Sequence, residues 1–310
     1  MRIHHLSCGT MCPWGGALMY GWRRDPSLRR LVCHCLLIET DRHGLVLVDT
    51  GIGLRDVRKP RPRLGWFFLL LNGIRLQDEQ TALHQIEQLG FRATDVRHIV
   101  LTHLDFDHAG GIEDFPEAVV HLLGAELQAA SQGRRGFIAR QRYRPLQWDK
   151  HVRWRNYGAG GEPWFGFDCV RDLDGLPPEI LLVPLIGHTW GHSGVVIRLP
   201  DRWLLHAGDA YFHVEEMNPA APSCPPGLRA YQRMMEVDRR ARLHNQHRLR
   251  GLARAQPEPV EVFCSHDPLE YIRLRNRAWY DTDTQPPADI RPPRYPGAEE
   301  SPYAAGQAAL

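Results

Sequence analysis

The stretch Ile99-Val-Leu-Thr-His-Leu-Asp-Phe-Asp-His-Ala-Gly-Gly111 turns from apolar to ligand-rich within a few residues. Ile99 to Leu101 reads as the end of a buried strand, and His103, Asp105, Asp107 and His108 follow at once, closed by two glycines. Imidazoles and carboxylates packed so closely repel one another, or cost desolvation, unless a cation holds them. Core packing does not select such a cluster, so a metal site is the first expectation from this sequence.

Further acids and histidines stand at other strand ends. Leu31–Ile38 and Leu45–Val48, separated by Asp41-Arg-His-Gly44, read as a hairpin that ends in Asp49-Thr-Gly51. Ile180–Leu185 runs into Gly187-His-Thr-Trp-Gly-His192, Trp203–Ala207 ends in Gly208-Asp209, and Val260–Cys264 ends in Ser265-His266-Asp267. In layered α/β folds the carboxyl ends of strands converge on one side, which is how groups so distant in sequence enter one pocket. Each element alone is weak evidence; the set in this order is specific.

The rest of the chain frames these elements. Met1–Leu6 reads as a first strand followed by a glycine-rich turn at Cys8–Gly16, and Gln80–Leu89 as a helix stopped by Gly90. Val119–Leu123 reads as a strand leading into a helix from Gly124, and Leu228–Ala255 as one arginine-rich helix. Residues 55–80 and 133–167 break the pattern and read as insertions. The aromatics of the second, Trp148, Trp154, Trp164 and Phe165, either line a pocket for an apolar or acyl group or pack on the core. Residues 276–310 form a Pro-rich tail beyond a domain spanning 1–275.

Composition narrows the function classes. Hydrophobic residues make up 43% and charged residues 24% of 310, ordinary values for a globular protein, and the formal net charge is +2. That near-neutral total, with Glu236 and Asp238 beside the arginines of 229–254, argues for a solvated helix face rather than a phosphate-tracking surface, so nucleic acid is not an expected partner. No export signal or membrane-spanning run is visible, and the seven cysteines lack C-x-x-C pairing, which together point to the cytoplasm and to reduced thiols. A small molecule is the expected partner; a homodimer is open.

The motif His103-x-Asp105-x-Asp107-His108, taken with Asp49-Thr-Gly51, Gly187-His-Thr, Asp209 and His266, resembles the metallo-β-lactamase superfamily. Asp105 stands where that family's pattern has its second histidine. The resemblance implies a four-layer αββα sandwich of two mixed sheets flanked by helices. It assigns one metal site to His103, Asp105 and His188 and a second to Asp107, His108 and His266. Asp209 and a hydroxide would bridge the two ions, Asp49 would support the site from behind its ligands, and His192 would be a packing residue. Asp107 would steer the nucleophile and pass its proton to the leaving group. Within the superfamily the chain looks most similar to the N-acyl-homoserine lactonase-like branch, where a tyrosine just after the bridging acid binds the substrate carbonyl; Tyr211 stands near that place.

The expected activity is therefore hydrolysis of a small ester or lactone. A phosphodiesterase, a thioesterase and a non-catalytic metal-binding member are the alternatives. Zinc is the expected metal, yet Asp105 exchanges an imidazole for a harder, charged oxygen ligand, which shifts preference towards Mn or Fe.

Overall fold

The computed structural model describes residues 1–132, 136–148, 152–158, 161–168, 173–252 and 259–277. Most of the Pro-rich tail expected from 276 onward lies outside them. Seven strands, β1 (Arg2–Met11), β2 (Leu31–Glu39), β3 (Leu45–Val48), β4 (Ile74–Arg75), β5 (Val96–Val100), β6 (Val119–Leu123) and β7 (Arg153–Tyr157), form one sheet in the order β4-β1-β2-β3-β5-β6-β7. A short hairpin of β8 (Pro163–Trp164) and β9 (Phe167–Asp168) precedes the second sheet, β10 (Ile180–Pro184), β11 (Ser193–Arg198), β12 (Trp203–His206) and β13 (Val260–Phe263), which lie in that order.

Both sheets are mixed. β1, β2 and β3 meander antiparallel, then β3, β5, β6 and β7 run parallel. β10, β11 and β12 are antiparallel and β13 is parallel to β12. Alternation along the strands sorts the side chains into layers. Leu36, Ile38, Val46, Val48 and Val100 meet Leu182, Val195, Ile197, Leu204 and Phe263 between the sheets. On the outer face of the first sheet, Leu47, Ile99, Val120 and Leu122 pack with Ala82 and Ile86 of α5 (Ala82–Gln88) and Ala130 of α6 (Gly124–Gln132). On the outer face of the second, Leu181, Val183 and Leu205 pack with Leu249 and Leu252 of α9 (Arg239–Leu252). The result is the expected αββα sandwich, in which burial of each of these Val, Leu, Ile and Phe side chains contributes roughly 1.5–3 kcal/mol.

Several local expectations shift. The first strand continues through Cys8 and Gly9 to Met11, with a bulge between Ser7 and Thr10, rather than turning at Cys8. Residues 54–72 form three short helices, α2 (Leu54–Arg58), α3 (Pro60–Leu64) and α4 (Trp66–Asn72), after α1 (Ala17–Tyr20). They are held against the loop after His108 by a network in which Arg63 bonds Asp56 at 2.6 Å and Glu113 at 2.7 Å, and Gln147 bonds Asp56 at 2.9 Å.

The long arginine-rich helix is two, α8 (Pro226–Met235) and α9, because Asp238 takes the amide of Ala241 on its side chain and restarts the helix. Several of the arginines in this region face inward: Arg242 bonds Glu236 at 2.7 Å, and Arg248 lies 3.7 Å over the Phe167 ring. Of the aromatics in the second insertion, Trp148 and Trp164 are core residues. No helix among the described residues is long and apolar enough to cross a membrane.

Candidate metal centre

β3, β5, β12 and β13 all deliver their carboxyl ends to one edge of the sandwich, and the loop after β10 joins them there. Seven side chains from these ends gather, all at most 6% exposed: His103, Asp105, Asp107, His108, His188, Asp209 and His266. They divide into two groups, each with ligand atoms close enough to share an ion: His103, Asp105, His188 and Asp209, and Asp107, His108 and His266. Asp209 also lies on the second group, with one oxygen 3.3 Å from His108 Nε2 and 3.1 Å from His266 Nε2.

The imidazoles are oriented from behind. Asp49, at the tip of β3 with φ 53°, accepts the Thr102 amide at 2.8 Å, the Thr102 hydroxyl at 2.8 Å and His108 Nδ1–H at 2.8 Å. Thr102 Oγ1, having given its proton to Asp49, accepts from His103 Nδ1 at 2.9 Å. His266 Nδ1 donates to the Val32 carbonyl at 2.8 Å. Each ring is thereby fixed in the tautomer that leaves Nε2 a lone pair facing the centre. His103 Nε2, His108 Nε2 and Asp209 Oδ1 are buried yet have no hydrogen-bond partner. Orphaned acceptors of this kind fit a bound cation and are costly otherwise.

His192 has no free nitrogen. Its Nδ1 donates to the Leu185 carbonyl at 2.9 Å and its Nε2 accepts the Asp209 amide at 2.8 Å, so it holds the backbone of Asp209. Burial, with His103 and His188 nearby, holds it well below the usual histidine range and therefore neutral.

The structure does not bring Tyr211 to the cluster. Its ring is fully buried in the core outside the second sheet, and its hydroxyl donates to Glu270 at 2.9 Å. Glu270 is anchored in turn by the Cys264 amide at 2.8 Å. The residue after Tyr211 faces the site instead: the Phe212 ring lies 4.7 Å from that of His266 and 5.9 Å from that of His188. Strand-end spacing one residue off turns the hydroxyl away from the centre.

Two residues not anticipated from the sequence complete the geometry. Glu126, at the start of α6, accepts the Leu104 amide and the Gly191 amide, each at 3.0 Å, and so ties the motif loop to the loop carrying His188. Arg142, at the end of α7 (Phe137–Arg142), places its guanidinium on Asp105 with two contacts of 2.6 Å, Nε to Oδ1 and Nη2 to Oδ2. A backbone bridge between Tyr143 and Asp105 brings it there. Burial alone would raise the Asp105 carboxyl, but Arg142 and His103 hold it well below the usual carboxylate range. Burial, with Arg142 adding to it against the pull of Asp209, pushes His188 down to about 4, so that ring is neutral. The one sequence signal for Arg142 is indirect, since an extra buried carboxylate calls for a buried cation.

An αββα sandwich with histidines and aspartates at these strand ends defines a metal-dependent hydrolase fold. Residues 28–266 match the metallo-beta-lactamase superfamily, and the chain belongs to it. It is 42% identical over 278 residues, 90% of this chain and 84% of the relative, to the probable metallo-hydrolase Rv2300c of Mycobacterium tuberculosis. It is 26% identical over 246 residues, 78% of this chain and 84% of the relative, to the N-acyl homoserine lactonase AttM of Azorhizobium caulinodans. Among solved structures, an N-acyl homoserine lactone hydrolase with N-hexanoyl-L-homoserine bound at its catalytic metal centre superposes with a TM-score of 0.63 at 20% identity, over 88% of this chain and 95% of that one. That likeness is one of fold.

Proposed function

We propose that this metallo-hydrolase cleaves a small ester or lactone. One observation carries the reading: His108 and His266 lone pairs and the Asp107 and Asp209 carboxylates meet at a buried point on the strand-end edge. A divalent ion bound there supplies Lewis acidity towards a carbonyl and lowers the pKa of water. Zinc is the metal we expect, with Mn or Fe the alternatives that the additional carboxylate, Asp105, would admit.

The chain's own residues do the rest. Asp49 and the Val32 carbonyl hold His108 and His266 in register. Asp107 is the most exposed of the seven, at 6%, and burial pushes its carboxyl above the usual range. It takes a proton from the attacking water and returns it to the departing alkoxide, so that ester and water become acid and alcohol. Among carbonyl substrates, a lactone is favoured by the lactonase relative, which aligns over most of the chain. The six described cysteines are all free, which supports action in a reducing cytoplasm.

The test is a panel of lactones, simple esters, thioesters and phosphodiesters, assayed with Zn, Mn and Fe. Lactone or ester turnover that Asp107→Asn lowers at least 100-fold supports the proposal. Turnover of phosphodiesters alone would replace it with a phosphodiesterase.

A further inference from the structure

The fork of Arg142 occupies one half of the centre. Nε and Nη2 donate to the two oxygens of Asp105. The second Nη2 hydrogen points at His188 Nε2, 2.7 Å away, and Nη1 donates to the carbonyls of His188 at 3.2 Å and Met235 at 2.7 Å. A guanidinium has five N–H donors, and here all five meet buried acceptors. The side chain is 2% exposed, so this is a built cation site and not a surface pair.

That arrangement conflicts with two ions. A neutral imidazole nitrogen has one lone pair in the ring plane, and the contact with Nη2 uses the lone pair of His188 that a metal would need. In this half the imidazole nitrogens left without a hydrogen-bond partner are His103 Nε2 and His188 Nδ1, and it is Nε2 of His188, not Nδ1, that lies beside the Asp105 and Asp209 carboxylates, at 3.0 and 3.3 Å. Charge gives the same answer. The three carboxylates of the cluster, less one guanidinium, leave two negative charges, the complement of a single divalent ion. A histidine at 105 would offer no charge and no bidentate edge to a guanidinium. Asp105 offers both, so Asp105 and Arg142 act as one device.

We propose that the Arg142 guanidinium stands in for one of the two metal ions, and that the chain binds a single divalent ion among Asp107, His108, Asp209 and His266. The inference rests on the metal-centre reading under Proposed function. It assigns the buried guanidinium the charge-balancing role of a cation in that half of the site, and it makes Arg142 a positioning residue for Asp105 and His188.

The experiment is metal content per chain, by elemental analysis after saturation with Zn and removal of free ion, with electron paramagnetic resonance of the Mn-loaded protein as a second readout. Wild type is expected to hold one ion and give the six-line signal of isolated Mn. The double variant Asp105→His with Arg142→Gln, which leaves no unpaired buried charge, is expected to hold two ions with an exchange-coupled signal. Two ions in the wild type would overturn the proposal while leaving the hydrolase reading intact. A folded double variant that still stops at one ion would overturn the role given to Arg142. A wild type that binds no ion would fail the metal-centre reading itself, and this inference with it.

Discussion

Asp49 is buried, and three hydrogen bonds end on its carboxylate. The one from His108 Nδ1–H decides which ring nitrogen faces the centre. Partners of this kind change metal affinity by about 10–100-fold when removed. Asp49→Ala is therefore expected to weaken metal binding by about that factor, read by competition with a chromophoric chelator; unchanged affinity would show that His108 keeps its tautomer without help. Tyr211 gives the opposite expectation. Because its hydroxyl is spent on Glu270, Tyr211→Phe should leave kcat/KM within about two-fold of wild type and cost about 1 kcal/mol of stability in urea unfolding. A hundred-fold loss of kcat at unchanged stability would return Tyr211 to the chemistry.

At the scale of elements, the site depends on loops being held at a fixed separation. Gly191 lies so close to the start of α6 that a Cβ there would overlap the backbone nitrogen of Glu126. Gly191→Ala is expected to part the two loops that Glu126 ties, costing about 1–3 kcal/mol, as overpacking does, and weakening metal binding together with stability. Retained affinity at lowered stability would show that the tie serves only the fold.

The α10 helix (Pro268–Arg275) contributes a pH effect. Burial pushes Glu270 up to about 8, so in the native state the carboxyl keeps its proton well above the pH at which it is lost on unfolding. A raised carboxyl contributes most stability at low pH, and that contribution falls as pH rises from its ordinary value near 4.5 through about 8. Urea midpoints measured from pH 5 to 9 should fall less steeply for Glu270→Gln than for wild type; parallel slopes would contradict the buried protonated carboxyl.

For the whole molecule, the candidate centre sits where the two sheets and several loops meet, so binding of an ion there would be linked to folding. Without a cation, Asp107 and Asp209 lie buried beside each other. An ion that binds only the native chain stabilises it by about 2.7 kcal/mol at a hundred times its Kd. Thermal unfolding with and without chelator should show Tm rising with metal and continuing to rise with its concentration; a Tm indifferent to chelator would mean that the apo cluster is already neutralised within the protein.

Local sequence specifies the scaffold and most of the histidines and aspartates that cluster at the strand ends. Period-two apolar strands ending abruptly in His, Asp and Gly are local signals, and the parallel portions of the sheets force those ends to one edge. His103, Asp107, His108, Asp209 and His266 could be read for that reason, and so could the departure at Asp105. What answers Asp105 is settled by contacts between distant segments. Arg142 is one of five arginines between 134 and 144, with no local pattern to separate it from Arg140 or Arg144. Its selection comes from the bridge of Tyr143 to Asp105 and from the carbonyls of His188 and Met235, contacts made across 37 to 93 residues of chain. The same holds for Tyr211, whose hydroxyl was turned to Glu270 by one residue of strand-end register. Strand periodicity is written in neighbouring residues; which buried charge meets which is fixed only when distant segments close on one another.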